Sequence, residues 1–326
     1  MTANSEPWLN VKAHGTLPLA LASWPGRSRP IIAILGVTMQ HVIVQLRARA
    51  ASKTFITGPR ANVAGSAASQ FNSHHTIKSH AEIEIELAIP TLLGLGSTSI
   101  MLLAVARALA QLNGLPTHDI SALGQAIDLQ LPGAELEMAG FQVGGLLLVE
   151  INGEHGSYPN IMRRHELRHD DLNSWAIPML QALPKSNTPP DLERNNYRNL
   201  VEAGAHLNLE SGYLFDKYLW PAVVSDDYPG FTHALSMLQT LTLRALQDAG
   251  TPTVLSEFEQ SVLSNLREAG ASATAQSLFG LTLFGFTQGN KNTAKAKRSL
   301  MAHVGHEAGS TIATLTNNSG ASLTTI

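Results

Sequence analysis

The sequence predicts an α+β protein that folds into two domains. Its 326 residues exceed the usual size of one domain and are enough to build substantial hydrophobic cores. An alternating segment, a glycine-rich turn and an amphipathic segment follow one another over residues 80–114, which indicates a strand, a loop and a helix. Apolar residues at helical spacing recur over residues 191–249, so the second half is predicted to be rich in helices.

The strand is predicted from the alternation of acidic and apolar residues over residues 82–87, which read Glu-Ile-Glu-Ile-Glu-Leu. A period of two places all the apolar side chains on one face of a strand, so that face is expected to be buried. After Pro90 the chain turns, and from Ile100 onwards apolar residues recur at helical spacing. Asn113 and Gly114 end the predicted helix.

The loop between this strand and this helix is a candidate phosphate-binding site. The first turn of a helix has unpaired N–H groups at the positive end of the helix dipole, and glycine lets an anion approach the backbone closely. Hydroxyl groups there can cap the helix, donate to a phosphate or support a divalent metal. The candidate residues are Gly94, Leu95, Gly96, Ser97, Thr98 and Ser99. The loop is neither a Walker A nor a G-x-G-x-x-G sequence, and tight packing of strand and helix explains its glycines equally well.

The phrase Pro-Thr-Leu-Leu-Gly-Leu-Gly-Ser-Thr-Ser, residues 90–99, resembles the second motif of the GHMP kinases. That superfamily includes galactokinase, homoserine kinase, mevalonate kinase and phosphomevalonate kinase. The continuation over residues 102–115, LLAVARALAQLNGL, is most similar to the β-ribofuranosylaminobenzene 5'-phosphate synthases. The resemblance implies the two-domain α+β GHMP fold. Its N-terminal domain would span residues 1–172, and its C-terminal α+β domain, an antiparallel sheet backed by helices, would span residues 173–326.

Two further segments resemble the same synthases. Residues 269–286 resemble the third GHMP motif, which in the synthases reads Gly-Gln-Ser-Ser-Trp-Gly-Pro-Thr and is matched here at Gln276, Ser277, Gly280 and Thr282. Near the C-terminus, residues 317–321 resemble the synthase pattern Arg-Asn-x-Gly-Ala. The resemblance implies that Gln276, Ser277, Thr282 and Asn318 bind the substrate.

The chain departs from the synthases before Gly140. Their arginine-rich stretch, which could hold a phosphorylated substrate through bidentate contacts, is replaced by Gln130, Leu131 and Pro132. Glu135 and Glu137 bring negative charge instead, and we interpret them as exposed surface carboxylates, with a general base as the alternative. The sequence therefore identifies no catalytic residue.

The resemblance implies a β-ribofuranosylaminobenzene 5'-phosphate synthase-like function. That reaction condenses an aminobenzoate with phosphoribosyl pyrophosphate, releases carbon dioxide and pyrophosphate, and leads to a methanopterin-type pterin. One alternative is an ATP-dependent small-molecule kinase of the GHMP superfamily, and another is a non-catalytic relative that binds a phosphorylated ligand. Mg²⁺ is the expected cofactor because the charge of a departing pyrophosphate needs compensation, whereas ATP is expected only for the kinase.

Residues 165–169 read His-Glu-Leu-Arg-His and match the H-E-x-x-H pattern, in which two histidines on one helix bind zinc. A buried metalloprotease helix needs an apolar face, but this stretch is surrounded by charged residues such as Arg163, Arg164 and Asp170. The resemblance places the stretch in a strand before a turn. We therefore predict no metal site formed by His165 and His169.

Composition excludes several other classes of function. A net charge of −3 provides no polycationic surface, so no nucleic-acid partner is expected. The chain has 0 cysteines, which excludes disulfides and thiolate chemistry. It has neither a signal-like N-terminus nor an apolar run of membrane-spanning length. We expect a cytoplasmic protein without a membrane partner whose ligand is a phosphorylated small molecule, and a homodimer is left open.

Local patterns predict the remaining elements. Residues 9–22 suggest two strands joined by a turn, residues 31–50 a hairpin, and residues 140–151 a buried strand. Residues 58–73, rich in glycine, alanine, serine and asparagine, suggest a mobile loop, although the synthases have a helix there. A helix begins near residue 120 with Asp119 or Ser121 as its cap. Strands are predicted over residues 175–183 and 311–316, and a helix over residues 291–306.

Overall fold

The computed structural model describes residues 7–78, 80–129, 134–151, 159–186, 188–189, 191–251, 253–305 and 307–326. Gln130, Leu131 and Pro132, which replace the arginine-rich stretch, lie outside the described residues. No helix among the described residues is both long and apolar enough to cross a membrane.

The strands of the described chain form a seven-stranded and a four-stranded sheet. In chain order they are β1 (Leu9–Trp24), β2 (Ile31–Ala50), β3 (Phe55–Thr57), β4 (Ala81–Leu87), β5 (Leu146–Glu150), β6 (Ile161–His165), β7 (Trp175–Ala182), β8 (Ser272–Gln276), β9 (Thr282–Gln288), β10 (Gly309–Thr314) and β11 (Ser322–Thr325). The α-helices are α1 (Ala61–His75), α2 (Ser97–Leu112), α3 (Ile120–Ala126), α4 (Glu135–Val143), α5 (Leu192–His206), α6 (Glu210–Leu214), α7 (Trp220–Val224), α8 (Tyr228–Asp248), α9 (Glu257–Glu268) and α10 (Asn290–Val304). A π-helical segment, Phe215–Leu219, joins α6 to α7.

The seven-stranded sheet is organised around the long antiparallel pair β1 and β2. Its strand order is β11-β1-β2-β4-β3, and β5 pairs with both β2 and β6. The predicted turn within residues 9–22 and the predicted hairpin within residues 31–50 are wrong, because β1 and β2 are each one continuous strand. The pairing register of β1 with β2 shifts at Gly15 and next to Pro18, and the strand continues through both irregularities.

The predicted alternation of the next strand is confirmed in β4 up to Ile85, whereas Leu87, which was expected on the buried face, is 48% exposed. Ile83 and Ile85 are buried in the core, whereas the acidic residues face arginines of β2. Arg47 pairs with Glu84 at 2.6 Å, and Arg49 pairs with Glu82 at 2.5 Å. Strand β4 therefore fixes the start of the loop that leads into α2.

The loop predicted over residues 58–73 is wrong, because most of that segment forms α1. Its buried residues, Ala64, Ala67, Ala68 and Phe71, follow the spacing of one helical face. Helix α1 packs against α2, and that packing outweighs the poor helix propensity of the glycine, serine and asparagine residues. The helix that the family resemblance implied here is confirmed.

The buried strand predicted over residues 140–151 is only partly correct. Residues up to Val143 complete α4, and β5 begins at Leu146. Gly144 and Gly145, with φ angles of 64° and 99°, form the turn between them. The predicted cap of the preceding helix is confirmed, since the Asp119 side chain accepts a hydrogen bond from the Ala122 N–H.

The four-stranded sheet is antiparallel, with the order β10-β7-β9-β8. Helices α8, α9 and α10 contact it, which confirms the predicted antiparallel sheet backed by helices. Trp175 stacks on Phe231 with ring centroids 4.7 Å apart. Strand β11, at the end of the chain, pairs with β1 in the seven-stranded sheet. The division into two domains at residue 172 stays a prediction.

Candidate functional site

The glycine loop that precedes α2 adopts backbone conformations that favour glycine. Gly94 and Gly96 have φ angles of 68° and 74°, in the left-handed region. A side chain at Gly94 would lie only 2.4 Å from the Gly280 nitrogen, and a side chain at Gly96 would lie 2.5 Å from Glu137 Cγ. Both glycines are therefore required by backbone geometry and by close neighbours.

The turn between β8 and β9 packs directly on this loop. The Ser277 hydroxyl donates to the Gly94 carbonyl at 2.9 Å, and the Thr282 hydroxyl donates to the Leu93 carbonyl at 2.9 Å. The Leu281 N–H donates to the Leu92 carbonyl at 2.9 Å. The second and third sequence motifs therefore meet in space, and the second sheet holds one side of the glycine loop.

The six predicted phosphate-binding residues differ in their solvent exposure. Gly94, Leu95, Ser97 and Ser99 are buried, whereas Gly96 and Thr98 are half-buried. The N-terminus of α2 has no side-chain cap and no acidic residue in its first turn. An anion that approaches this loop would therefore meet the uncapped helix start near Gly96 and Thr98.

Arg60 adds a positive charge at the same place. Its Nη2 donates to Thr98 Oγ1 at 2.8 Å, across the first turn of α2. Arg60 has a φ angle of 61°, an uncommon conformation for a residue other than glycine, at the N-terminal end of α1. A guanidinium, a hydroxyl and the positive end of a helix dipole therefore converge, and this combination favours a phosphate.

Glu137 lies on the other side of Gly96. It is 0% exposed, and a side chain built on Gly96 would lie 3.2 Å from its Oε1 atom. Glu135 is also buried, so the interpretation of both residues as exposed surface carboxylates is wrong. Both residues belong to the first turn of α4, which packs between α2, β1 and β5 and shields them from solvent.

Three buried hydroxyl groups lie close to Gly96 or to α4, the helix that carries Glu137. The hydroxyls of Thr16, Thr38 and Ser97 are buried and have no hydrogen-bond partner within the described part of the chain. Thr16 Oγ1 would lie 3.3 Å from a side chain at Gly96, and Thr38 Oγ1 would lie 2.9 Å from one at Gly140. Buried polar groups normally have partners, so such a group of hydroxyls suits a site that a ligand, ion or water completes.

The oxygen atoms at this loop fit a hard divalent cation such as Mg²⁺. Mg²⁺ binds one or two protein oxygens and takes its other ligands from water and substrate phosphates, and here a buried carboxylate, Glu137, and a buried hydroxyl, Ser97, supply oxygen atoms. No group of three or more acidic or histidine side chains in the described chain could hold a metal by itself. A cation here would therefore bind together with a phosphate. Its positive charge would reduce the repulsion between the phosphate and the Glu137 carboxylate.

The four residues predicted to bind substrate are not all in one place. Ser277 and Thr282 are buried against the glycine loop, and Gln276 Nε2 donates to the Gly280 carbonyl at 3.0 Å within the same turn. Asn318 lies elsewhere: its side chain donates to the Leu167 carbonyl at 2.9 Å, near the C-terminal end of α4. The structure thus gives all four side chains backbone partners, and their contact with substrate stays a prediction.

The H-E-x-x-H sequence does not form a helix. His165 is the last residue of β6, and residues 166–170 have no regular secondary structure. The His165 ring instead contacts the Trp220 ring, with centroids 6.1 Å apart. The helical spacing on which the zinc motif depends is therefore absent.

Sequence reasoning missed Arg60 and underestimated Glu137. Arg60 is isolated in a small-residue segment, and nothing in its local pattern points to Thr98, which is 38 residues away. The sequence indicated a role for Glu137 only weakly, as the one charged residue in the otherwise apolar segment from Leu136 to Phe141. Both residues become recognisable only when their contacts with the start of α2 are known.

A known family model matches part of the chain. Residues 62–141 match the family model described as the GHMP kinases N terminal domain. No curated protein sequence matches the chain significantly.

Solved structures match nearly the whole chain. Homoserine kinase from Cytophaga hutchinsonii is similar over 99% of this chain and 99% of its own, with 13% identity and a TM-score of 0.59. Mevalonate diphosphate decarboxylase from Enterococcus faecalis is similar over 99% and 100%, with 16% identity and a TM-score of 0.67. A 4-(cytidine 5'-diphospho)-2C-methyl-D-erythritol kinase is similar over 94% and 99%, with 20% identity and a TM-score of 0.57. At these identities the matches establish the fold, which is the two-domain GHMP kinase fold.

Proposed function

We propose that this chain, which contains a GHMP kinase N-terminal domain and has the two-domain GHMP kinase fold, is a Mg²⁺-dependent small-molecule phosphotransferase. It binds the phosphates of ATP at the N-terminus of α2 and transfers the terminal phosphoryl group to a small acceptor. The observation that carries the proposal is the convergence of Arg60 and Thr98 with the uncapped helix start, beside the buried carboxylate of Glu137.

The chemistry of phosphoryl transfer suits this arrangement. The protein mainly positions the phosphates and stabilises their negative charge, because little covalent chemistry falls to its side chains. Arg60 and the α2 N–H groups supply positive electrostatic potential, while Ser97 and Glu137 would hold the Mg²⁺ ion. When bound, the ion would offset the charge of the phosphates and of the Glu137 carboxylate.

Two structural neighbours support ATP and Mg²⁺ as ligands. One solved structure concerns ATP binding by the mevalonate diphosphate decarboxylase from Enterococcus faecalis. Another is a complex with MVAPP, AMPPCP and magnesium. These proteins share the fold of this chain, and the residues at the start of α2 provide the groups that such ligands need.

A β-ribofuranosylaminobenzene 5'-phosphate synthase-like activity is the second candidate. It is favoured by the residues that match the synthase motifs, since Ser277 and Thr282 hold the glycine loop through direct hydrogen bonds. In that reaction the pyrophosphate of phosphoribosyl pyrophosphate would occupy the same helix start. The two candidates therefore share the phosphate site and differ in the second substrate.

Calorimetry tests the shared site. We expect ATP and phosphoribosyl pyrophosphate to bind the full chain in the presence of Mg²⁺. Arg60→Ala should weaken binding about 10- to 100-fold, because a charge-assisted hydrogen bond contributes roughly 1.5–3 kcal/mol. Arg244→Ala removes an exposed arginine of α8 and is the matched control. Equal affinities of the two variants would contradict the site.

Two activity assays then separate the candidates. Transfer of the labelled terminal phosphate of ATP to an acceptor in a panel of small alcohols, acids and sugars would support the phosphotransferase. Product formation from para-aminobenzoate and phosphoribosyl pyrophosphate would support the synthase, and we expect it to be weak because the arginine-rich stretch is replaced. Phosphate-ligand binding without turnover in either assay would assign the chain to the non-catalytic alternative and reject the phosphotransferase.

A further inference from the structure

A cavity with a volume of about 730 Å³ lies mainly in the C-terminal half of the chain. Its walls are formed by α8, α9, β8, the segment before α9 and the turn between β8 and β9. Leu243, Leu246, Leu263 and Leu278 contribute apolar surface. Small-molecule sites usually have volumes of about 300–1,000 Å³ and combine apolar walls with a few polar groups, so this cavity has a suitable size and lining.

A buried amide nitrogen on the cavity wall has no hydrogen-bond partner within the described residues. Gln239 of α8 is 7% exposed and lines the cavity, and its Nε2 atom makes no hydrogen bond within the described chain. The Thr251 hydroxyl, also on the wall, is likewise buried without a partner among the described residues. A buried donor without an acceptor costs about 1–3 kcal/mol, which a ligand oxygen would offset.

Arg267 supplies a positive charge at the exposed rim of the same cavity. Its Nε donates to Thr274 Oγ1 at 2.9 Å, which orients the guanidinium. None of the ion pairs within the described residues includes Arg267. Glu259, a carboxylate on the cavity wall, already accepts hydrogen bonds from the Ser256 N–H at 2.7 Å and the Ser256 hydroxyl at 2.9 Å. The terminal nitrogens of Arg267 therefore suit an incoming anion.

The backbone of β8 is distorted where it borders the cavity. One extra residue lies between Ser272 and Ala275, since these pair with Phe286 and Phe284 across the strand. Within this bulge Ala273 has a φ angle of 47°, which is strained for a residue with a side chain. The bulge places Thr274 against Arg267, and bulges and local strain of this kind concentrate at functional sites.

We propose that this cavity binds a small organic carboxylate with an apolar body. The carboxylate pairs with Arg267 at the rim, an oxygen on the body accepts the Gln239 N–H, and the apolar part packs against the leucines of α8 and α9. Neither Arg60 nor Thr98 of the anion site lines this cavity, although Ser277 of the cavity wall also contacts the glycine loop. Binding of the carboxylate does not depend on the phosphotransferase activity proposed above.

Titration calorimetry of the full chain with 2-naphthoate, an apolar carboxylate, tests the proposal. We expect saturable binding, and binding of the neutral analogue 2-naphthylmethanol at least tenfold weaker. Arg267→Ala should weaken 2-naphthoate binding at least tenfold, whereas Arg244→Ala and Arg60→Ala should leave it unchanged. Absence of binding, equal affinity of the neutral analogue, or equal affinity of Arg267→Ala and Arg244→Ala would overturn the proposal. A loss of binding in Arg60→Ala would place the ligand at the glycine loop instead and would overturn it too.

Gln239→Leu separates a ligand-binding role from a structural one. Leucine has a similar size but no unpaired donor, so the ligand-free protein should be as stable as the wild type or more stable. Affinity for an apolar carboxylate that also carries a second oxygen, such as 6-hydroxy-2-naphthoate, should fall several-fold. A destabilised variant with unchanged affinity would show that Gln239 serves the packing of α8 alone and would overturn its assignment to the ligand.

Discussion

The Ser277 hydroxyl donates a hydrogen bond of 2.9 Å to the carbonyl of Gly94, although 183 residues separate the two positions. Ser277 belongs to the turn between β8 and β9 of the second sheet, and Gly94 to the loop before α2. Because both groups are buried, neither can exchange this partner for water. The contact couples the position of the glycine loop to the second sheet.

Ser277→Ala should lower the free energy of unfolding by about 1–3 kcal/mol, because the buried Gly94 carbonyl loses its donor. Urea denaturation followed by circular dichroism measures this change. Ser225→Ala removes a hydroxyl at an exposed helix end and should cost less than about 0.5 kcal/mol. A cost for Ser277→Ala no larger than that of the control would show that the contact does not stabilise the loop.

Gly96→Ala should destabilise the protein more than Gly114→Ala. Both glycines have positive φ angles, of 74° and 65°, so each substitution carries a similar backbone strain of roughly 1–2 kcal/mol. A side chain at Gly96 also collides with Glu137, whereas one at Gly114 meets nothing within 4 Å. The collision should add about 1–3 kcal/mol. Equal unfolding free energies of the two variants would mean that Glu137 moves aside without cost.

Glu137→Gln should abolish the Mg²⁺ dependence of ATP binding. The amide keeps the shape of the side chain but removes the negative charge that would attract the cation. Glu135→Gln is the comparison, because two residues along a helix place the side chains on nearly opposite faces, about 200° apart. Calorimetric titrations with ATP, with and without Mg²⁺, should show a large magnesium effect in the wild type and in Glu135→Gln. A magnesium effect that survives in Glu137→Gln would remove Glu137 from the site.

His14 should make the stability depend on pH. Burial lowers the pKa of its ring below the ordinary value of 6.5, an effect that the hydrogen bond to the Met39 carbonyl only partly opposes. As the pH falls from 7 to 5, the unfolded chain therefore takes up a proton at this ring before the folded chain does. The free energy of unfolding should thus decrease over this range.

His14→Gln should reduce that decrease, since glutamine does not titrate but can still donate a hydrogen bond to Met39. Denaturation curves at several pH values between 7 and 5 provide the measurement. His118→Gln changes an exposed histidine and controls for the loss of a histidine as such. The expectation would be refuted by identical pH dependences of the wild type and His14→Gln.

Local sequence patterns determined several elements of this protein. Strict alternation identified β4, helical spacing identified α2 and α8, and an apolar run identified β7. The glycines and hydroxyls after β4 also indicated an anion site at the start of α2, because that expectation depends only on the backbone of a helix terminus. These signals are local, since they involve residues that are neighbours along the chain or one helical turn apart.

Where local signals were ambiguous, long-range contacts determined the structure. Gly15 and Pro18 became irregularities of one long strand because β2 continues the ladder beyond them. Residues 61–75 became a helix because α2 covers its alanine-rich face. In both cases the packing of distant segments outweighed the preference of the segment itself.

The sequence by itself determined that a helix begins at the glycine loop, and the anion site at the start of that helix stays a prediction. Only the tertiary structure determined which side chains surround that loop: Arg60 from the start of α1, Glu137 from α4 and Ser277 from the second sheet. The physical reason is that periodicity reports the face on which a residue lies but not the segment that packs against that face. Sheet pairing and helix packing set those contacts, and they alone buried Glu137 beside Gly96.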